Sequence, residues 1–376
     1  MRKSLLAIAC LGACAGAQAQ SSVTLYGLID TAVRYNNNGN AAGDNVVRLV
    51  DGMLSGTRWG IQGKEDLGGG LKAVFTLESG FVLDTGTSAQ QGQLFGRQAF
   101  VGLESKAGAV TFGRQYGPAF LALCAFDPLG LGNAGGAGIA AGSSGSNGWD
   151  VVLTGSRFDN SIVYKGDFGG VSVNTMYALG EAAGNMRAGR TMGFNLGYGA
   201  GPLSGTVYAQ QSQDAFLNKD VVAGFGGTYA FDPVKLYAGY VFSKKDNGFV
   251  TGANLSNTPL ANTGLANVGN TPGGITIGKT TDRLYILGAL FHAGPQINVT
   301  VGGMYDNASV GATAAGRETA YVVLDYILSK RTDVYTTLDF NKVTGVYAPG
   351  GLSATGGLGT SKDSQTGLAV GIRHRF

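Results

Sequence analysis

A chain of 376 residues is long enough for two soluble domains, but its composition argues against them. Only 14 % of residues are charged, against about a quarter in soluble domains, there are 65 Gly and 8 Pro, and no apolar run after the N-terminal segment reaches the ~18–20 residues of a membrane helix. The formal net charge of +3 is too small to gather nucleic acid by its field, so no nucleic-acid partner is expected and any selectivity must come from where charges sit.

Residues 1–20 read as a secretory leader. Arg2 and Lys3 make a basic start, Leu5 to Gly16 an apolar stretch, and Ala17-Gln18-Ala19 a small-x-small cleavage site; cleavage after Ala19 and after Gln20 fit equally well. Leu11-Gly12-Ala13-Cys14 has the form of a lipoprotein box, but the apolar run before it is short. Removing the leader takes Cys10 and Cys14 with it and leaves Cys124, which cannot form an internal disulfide and sits among Ala and Leu as a small hydrophobe.

From Val23 onward the chain alternates apolar and polar residues with period two, the pattern of a strand with two different faces. In the first segment Val23, Leu25, Gly27, Ile29, Thr31, Val33 and Tyr35 oppose Thr24, Tyr26, Leu28, Asp30, Ala32, Arg34 and Asn36. Leu71, Ala73, Phe75, Leu77 and Phe81 oppose Lys72, Thr76 and Glu78, and the last segment sets Leu368, Val370, Ile372 and Phe376 against Arg373 and Arg375. Short turn-type connections fall at 67–70, 106–108, 167–170, 200–202, 232–233, 294–295 and 330–333, and longer polar stretches near 37–45, 84–93, 116–155, 180–190, 214–219, 246–280, 307–317 and 345–362. Seven turns and eight loops join sixteen strands; short turns on one rim and long loops on the other is the arrangement of an antiparallel transmembrane β-barrel. The count is least secure over Val46 to Asp66, which is long and interrupted by Gly. Tyr26, Tyr35, Tyr164, Tyr198, Tyr229 and Phe231 are expected in the outward aromatic girdles.

The third long stretch, Tyr116 to Gly155, does not alternate. Its apolar part from Pro118 to Leu131 would be costly to leave in water, and a loop of this length in a compact chain is usually functional or disordered, so it is expected to fold into the barrel lumen as a constriction loop.

In these segments the chain resembles the general porins of Gram-negative bacteria, most closely the beta-proteobacterial type. The matching stretches are SSVTLYGLIDTAVRY, TRWGIQGKEDLGGGLKAVFTLESGF, LFGRQAFVGLESKAGAVTFGRQY, SRFDNSIVYK and a final strand ending in RHRF. The resemblance implies an outer-membrane homotrimer whose third long loop bends inward, and a channel for passive diffusion of small hydrophilic solutes and ions. It also implies that Arg58, Arg97 and Arg157 supply the basic cluster of the constriction.

The residues themselves carry part of this reading. Arg58 shares a strand face with Gly60, Gln62 and Lys64, and Arg157 with Asp159, Ser161 and Lys165 opposite Phe158, Ile162 and Tyr164, which aims both inward. Arg97 has apolar alternates and alternation does not settle its direction. Asp127, the one acid between Tyr116 and Gly148, fits either a partner for the arginines or a turn residue before Pro128. An enzyme is not expected: the two histidines, His292 and His374, stand in no metal-ligand spacing, no Gly-x-Ser-x-Gly elbow occurs, and no cofactor is implied. Fixed Arg charges in a narrow passage favour anions, giving an expected lean toward anions; a substrate-specific channel for sugars or small acids, and a surface adhesin, are the other classes compatible with the pattern.

Overall fold

The protein is described by a computed structural model covering residues 22–40, 42–130, 155–249, 278–348 and 361–376. The leader at 1–20, residues 131–154 of the long central loop, and the larger parts of the stretches 246–280 and 345–362 lie outside these.

One antiparallel sheet closes on itself. Its first strand, β1 (Ser22–Asn36), pairs with the last, β16 (Ser364–Arg375), and with the second. That second strand, β2, is in two pieces. Val46–Asp51 pairs with the upper half of β1, from Asn36↔Val46 to Thr31↔Asp51, and Arg58–Gly68 with the lower half, from Leu28↔Arg58 to Ser22↔Lys64. The seventeen hydrogen-bonded segments therefore make sixteen barrel strands. The others are β3 (Leu71–Gly80), β4 (Gln98–Ser105), β5 (Gly108–Tyr116), β6 (Arg157–Phe168), β7 (Val171–Ala178), β8 (Thr191–Ala200) and β9 (Leu203–Gln213). After them come β10 (Lys219–Phe231), β11 (Val234–Lys245), β12 (Thr280–His292), β13 (Ile297–Val310), β14 (Thr313–Ile327) and β15 (Thr332–Gly345).

The break in β2 has a local cause. The Asp30 carboxylate accepts the backbone N–H groups of Leu54 (2.8 Å) and Ser55 (2.6 Å), and the Thr57 side chain bonds the Asp30 backbone. Backbone donors that would have gone to a ladder are thus satisfied by one buried carboxylate. Met53 and Leu54 turn inward against Tyr321, Val323 and Tyr335.

All seven short turns lie where the sequence puts them, and several strands, such as β1, β12, β14 and β15, show the alternating burial of a two-faced wall. Val33, Leu49, Phe225 and Leu287 are exposed on the outer face, while Asp30, Arg34, Thr206, Asp282 and Asp339 are buried on the other. Three readings need correction. The stretch 307–317 is not a long loop: β13 and β14 are joined by residues 311–312 alone, with Gly311 at φ +60, the left-handed conformation a tight hairpin requires. Tyr26 is not in the outer girdle; it shares the phase of Asp30 and donates to Glu78 Oε2 at 2.9 Å. Phe158 does not oppose the inward set either. Between Gly113↔Ser161 and Gln115↔Phe158 the ladder slips, with Asn160 at φ 54, and this bulge turns Phe158, fully buried, toward Val163, Met176 and Ala178. Tyr35, Tyr198, Tyr229 and Phe231 are outward and exposed as expected.

The closing seam carries a clamp. Arg34 of β1 crosses Gly367 of β16, where a Cβ would lie 2.0 Å from its Nη2, and reaches Asp339 of β15 with two parallel bonds of 2.7 and 2.9 Å. Arg34 and Asp339 are fully buried side chains, and Asn36 and Asn341 satisfy their remaining positions. Removing one partner strands the other charge, which costs about 3–5 kcal/mol. Asp339→Ala should therefore lower the urea midpoint of the folded barrel in lipid vesicles sharply, whereas Arg34→Met combined with Asp339→Leu should lose much less. Equal losses in the two variants would show that the clamp is not an uncompensated-charge problem.

Candidate functional site

The site is built where β5 ends. Gly117 is extended and Pro118 stands at the first helical position, where its missing N–H costs nothing, so the chain turns directly into α1 (Pro118–Phe126). Asp127 closes the helix with its N–H on the Leu123 carbonyl at 2.9 Å, and Pro128 prevents continuation. Nine residues that are apolar on every side give no amphipathic period, which is why the alternation analysis found no helix here.

The helix packs against β7 to β11. Ala119, Ala122, Leu123 and Phe126 are fully buried with Tyr208, Val222, Val241, Leu284 and Ile286. These wall residues belong to the strand phase opposite the exposed apolar set. Two glycines paired across β10 and β11 receive the Phe126 ring: a Cβ at Gly226 would stand 2.3 Å from its Cγ, and one at Gly239 2.2 Å from its Cε2. A third, Gly288 of β12, receives Pro128, with only 2.3 Å from the built Cβ to Cγ. None of the three has a positive φ, so what demands glycine here is space and not backbone conformation. Leu129 then packs on the cluster of Met53, Leu54, Tyr321 and Tyr335, contributed by β2, β14 and β15.

Tyr116 is the hub of the charges. Its ring stacks on Phe120 of the helix at 4.8 Å, and the Arg157 guanidinium lies 4.6 Å over its face. Its hydroxyl oxygen accepts Nη2 of Arg97 at 2.8 Å and Nη2 of Arg157 at 2.9 Å, so one phenol oxygen holds two guanidinium groups close together. Arg97 is buried and also donates to Glu78 at 2.8 Å. Arg58 stands 3.9 Å from the same carboxylate and keeps 30 % of its side chain exposed. The structure thus brings all three expected arginines to one place, and settles the direction of Arg97 through Glu78. Arg58 and Arg97 share one carboxylate, Glu78, among the ion pairs of the described residues. Arg157 bonds only hydroxyl partners, Tyr116 and Ser156, among the contacts described.

Asp127 is buried at the C-terminal end of the helix, within electrostatic reach of Tyr237, Tyr321 and Cys124. Burial, then the Asp127 charge, pushes the Cys124 thiol up to about 12, so it stays protonated. Further down the wall, Lys64 pairs with Glu104 at 2.8 Å, Arg373 with Asp333 at 2.9 Å and Arg375 with Asp333 at 2.7 Å. There a cavity of about 320 Å³ is lined by Gln62, Thr76, Thr111, Gln115 and Lys165. Sequence reasoning missed Glu78 and Tyr116. Glu78 was legible as inward, but nothing in one sequence says which inward acid meets an arginine 19 residues on; Tyr116 looked like the end of a strand.

A family model described as Gram-negative porin matches residues 5–346. The chain is 33 % identical to an outer membrane porin protein of Bordetella pertussis and 34 % identical to outer membrane porin protein 32 of Delftia acidovorans, each alignment covering 100 % of both chains. Among solved structures it is similar to an anion-selective porin from Comamonas acidovorans, at 29 % identity and TM-score 0.73, covering 95 % of this chain and 100 % of that one.

The glycine socket gives a test. A methyl group at Gly226 or Gly239 overpacks the Phe126 ring at a cost of about 1–3 kcal/mol. Gly226→Ala and Gly239→Ala should each displace the helix and give larger, noisier single-channel currents in planar bilayers. Gly199→Ala, where a Cβ meets nothing within 4 Å, should not. Wild-type currents from both socket variants would show that the socket does not hold the helix in place.

Proposed function

The chain belongs to the Gram-negative porin family and is an outer-membrane diffusion channel, and we propose that the segment from Tyr116 to Gly155 crosses its lumen and makes the narrowest point. The observation that carries this is the pair of attachments of one short segment. Phe126 seats on β10 and β11, while Leu129 packs on the cluster from β2, β14 and β15. From the end of β5 the segment is thus tied first to β10 and β11, then through Pro128 to β12, and through Leu129 to β14, β15 and β2.

In this reading Arg58, Arg97 and Arg157 line one side of the passage, with Asp127 across the helix from them. Three guanidinium groups against Glu78 leave an excess of positive charge. A narrow, partly desolvated passage lowers the effective dielectric, so an ion a few ångströms away feels these charges strongly. Arg holds its charge at any biological pH. The channel therefore passes small hydrophilic solutes and ions with a lean toward anions, in keeping with its similarity to the anion-selective porin from Comamonas acidovorans. The mature protein, after loss of residues 1–20, assembles as a homotrimer in this proposal, which native mass spectrometry of the purified protein checks directly.

Two substitutions of opposite sign test the electrostatics. Changing Arg58, Arg97 and Arg157 together to Gln should move the reversal potential under a salt gradient substantially toward cations. Glu78→Gln should move it further toward anions. Both shifts should shrink at about 1 M salt, where the Debye length is roughly 3 Å, compared with about 0.1 M, where it is roughly 10 Å. A triple variant that folds and keeps the wild-type reversal potential at low salt would remove these arginines from the selectivity of the channel.

A further inference from the structure

The cavity below the arginines has a chemistry of its own. Its wall is made by successive rows of side chains at directly paired strand positions. The upper row runs from Thr24 of β1 through Gln62 of β2 and Thr76 of β3 to Phe100 of β4. Glu78 and Tyr26 stand two residues higher on β3 and β1, about 7 Å along the strands. The middle row is Ser22, Lys64 and Val74. In the lowest row, toward the short-turn rim, Glu104 of β4 and Lys165 of β6 both pair with Ala109 of β5, one from each side. Their Cα atoms are thus two strand spacings apart, about 10 Å, with only a methyl group between them. Lys64 reaches down to Glu104 with bonds of 2.8 and 3.0 Å. Thr24, Gln62, Lys64 and Lys165 are exposed, Phe100 is half-buried and Val74 is buried.

Charge and polarity restrict what can fill this hollow. Lys64 is matched by Glu104, whereas the ion pairs of the described residues do not include Lys165. Two ammonium groups against one carboxylate leave a single positive charge, which suits a monoanion better than a neutral solute or a dianion. A pocket for an apolar guest is lined mainly by hydrophobic and aromatic side chains; here hydroxyl, amide and charged groups prevail. Phe100 closes a row of two hydroxyls and an amide, so one guest must offer an apolar face to the ring and hydroxyls to the row. The volume of about 320 Å³ lies at the small end of ligand pockets, about 300–1,000 Å³.

We infer that this hollow is a binding site for a hexuronate, a single sugar ring carrying one carboxylate. The Lys165 ammonium takes the carboxylate in a charge-assisted bond, Gln62 and Thr76 take ring hydroxyls, and Phe100 covers the C–H face of the ring. A solute that has passed the arginines meets this station next on its way to the short-turn rim. The inference rests on the inner face being the lumen of a channel, and not on the arginines setting its selectivity.

The probe is sodium galacturonate, added on the short-turn side of single channels in planar bilayers, beside galactose, benzoate and the diacid galactarate. Galacturonate should reduce the ion current along a saturating curve, and each of the other three should need at least tenfold more to reach half-block. Lys165→Gln, and Phe100→Ala, which alters no charge, should each raise the half-blocking concentration of galacturonate at least tenfold. Phe100→Ala should keep the wild-type reversal potential, and Lys165→Arg should keep the wild-type block. The variant with Arg58, Arg97 and Arg157 changed to Gln should also keep the block from this side, so that failure of the site and failure of the selectivity reading are told apart. Block that never saturates, or that is the same in wild type, Lys165→Gln and Phe100→Ala, overturns the site. Equal block by galactose overturns the role of the carboxylate, equal block by benzoate that of the sugar hydroxyls, and stronger block by galactarate the match to a single charge. Block lost in the triple arginine variant but kept in Lys165→Gln would place the guest at the arginines and overturn the inference too.

Discussion

Everything in this molecule depends on β1 finding two partners. A sheet in lipid has no water to satisfy its edges, so the hydrogen-bond ladder must run full circle. β1 achieves this by pairing with β16 along its upper part and with both pieces of β2 along its whole length. The seam is reinforced on the inner face by Arg34 reaching over a glycine to Asp339, so that the two ends of the chain are tied by a charge pair as well as by backbone. Closure also sets apart an inner face, and the apolar helix after β5 buries Ala119, Ala122, Leu123 and Phe126 against the strands without a second domain to cover them.

The inside is also where charge is sorted. Several cations on the inner wall pair with carboxylates on nearby strands, as at Arg34 with Asp339, Arg114 with Asp159, and Arg373 and Arg375 with Asp333. Such pairs stiffen the wall and contribute little net field. Around Tyr116 the matching is incomplete: Arg97 has Glu78, while Arg157 converges with it on a phenol oxygen that offers lone pairs but no charge.

How much of this the sequence disclosed follows from what alternation can and cannot encode. Turn positions were legible because Gly and Pro are demanded there by backbone conformation, as at Gly68, Gly69 and Gly70, all with positive φ. Face assignment was legible wherever the ladder is regular. It failed at Phe158, because a bulge adds one residue and inverts the phase beyond it, and a bulge leaves no mark in a one-letter string. The loop near 311 was overestimated because Asn307 to Gly316 is rich in small polar residues yet stays in register to the last pair. The arginines were found through resemblance and partial alternation; Glu78, Tyr116 and the glycine socket were not, since each is defined by contact between distant strands.

The socket carries a consequence for how such barrels can change. Phe126 and Pro128 occupy volume that Gly226, Gly239 and Gly288 vacate. The loop and the three strands therefore share one shape, split between stretches of chain about a hundred residues or more apart. A loop transplanted from a related channel would arrive as a key without its lock unless the wall glycines travelled with it. Natural exchange of loop segments between such proteins should leave a correlated record at these strand positions.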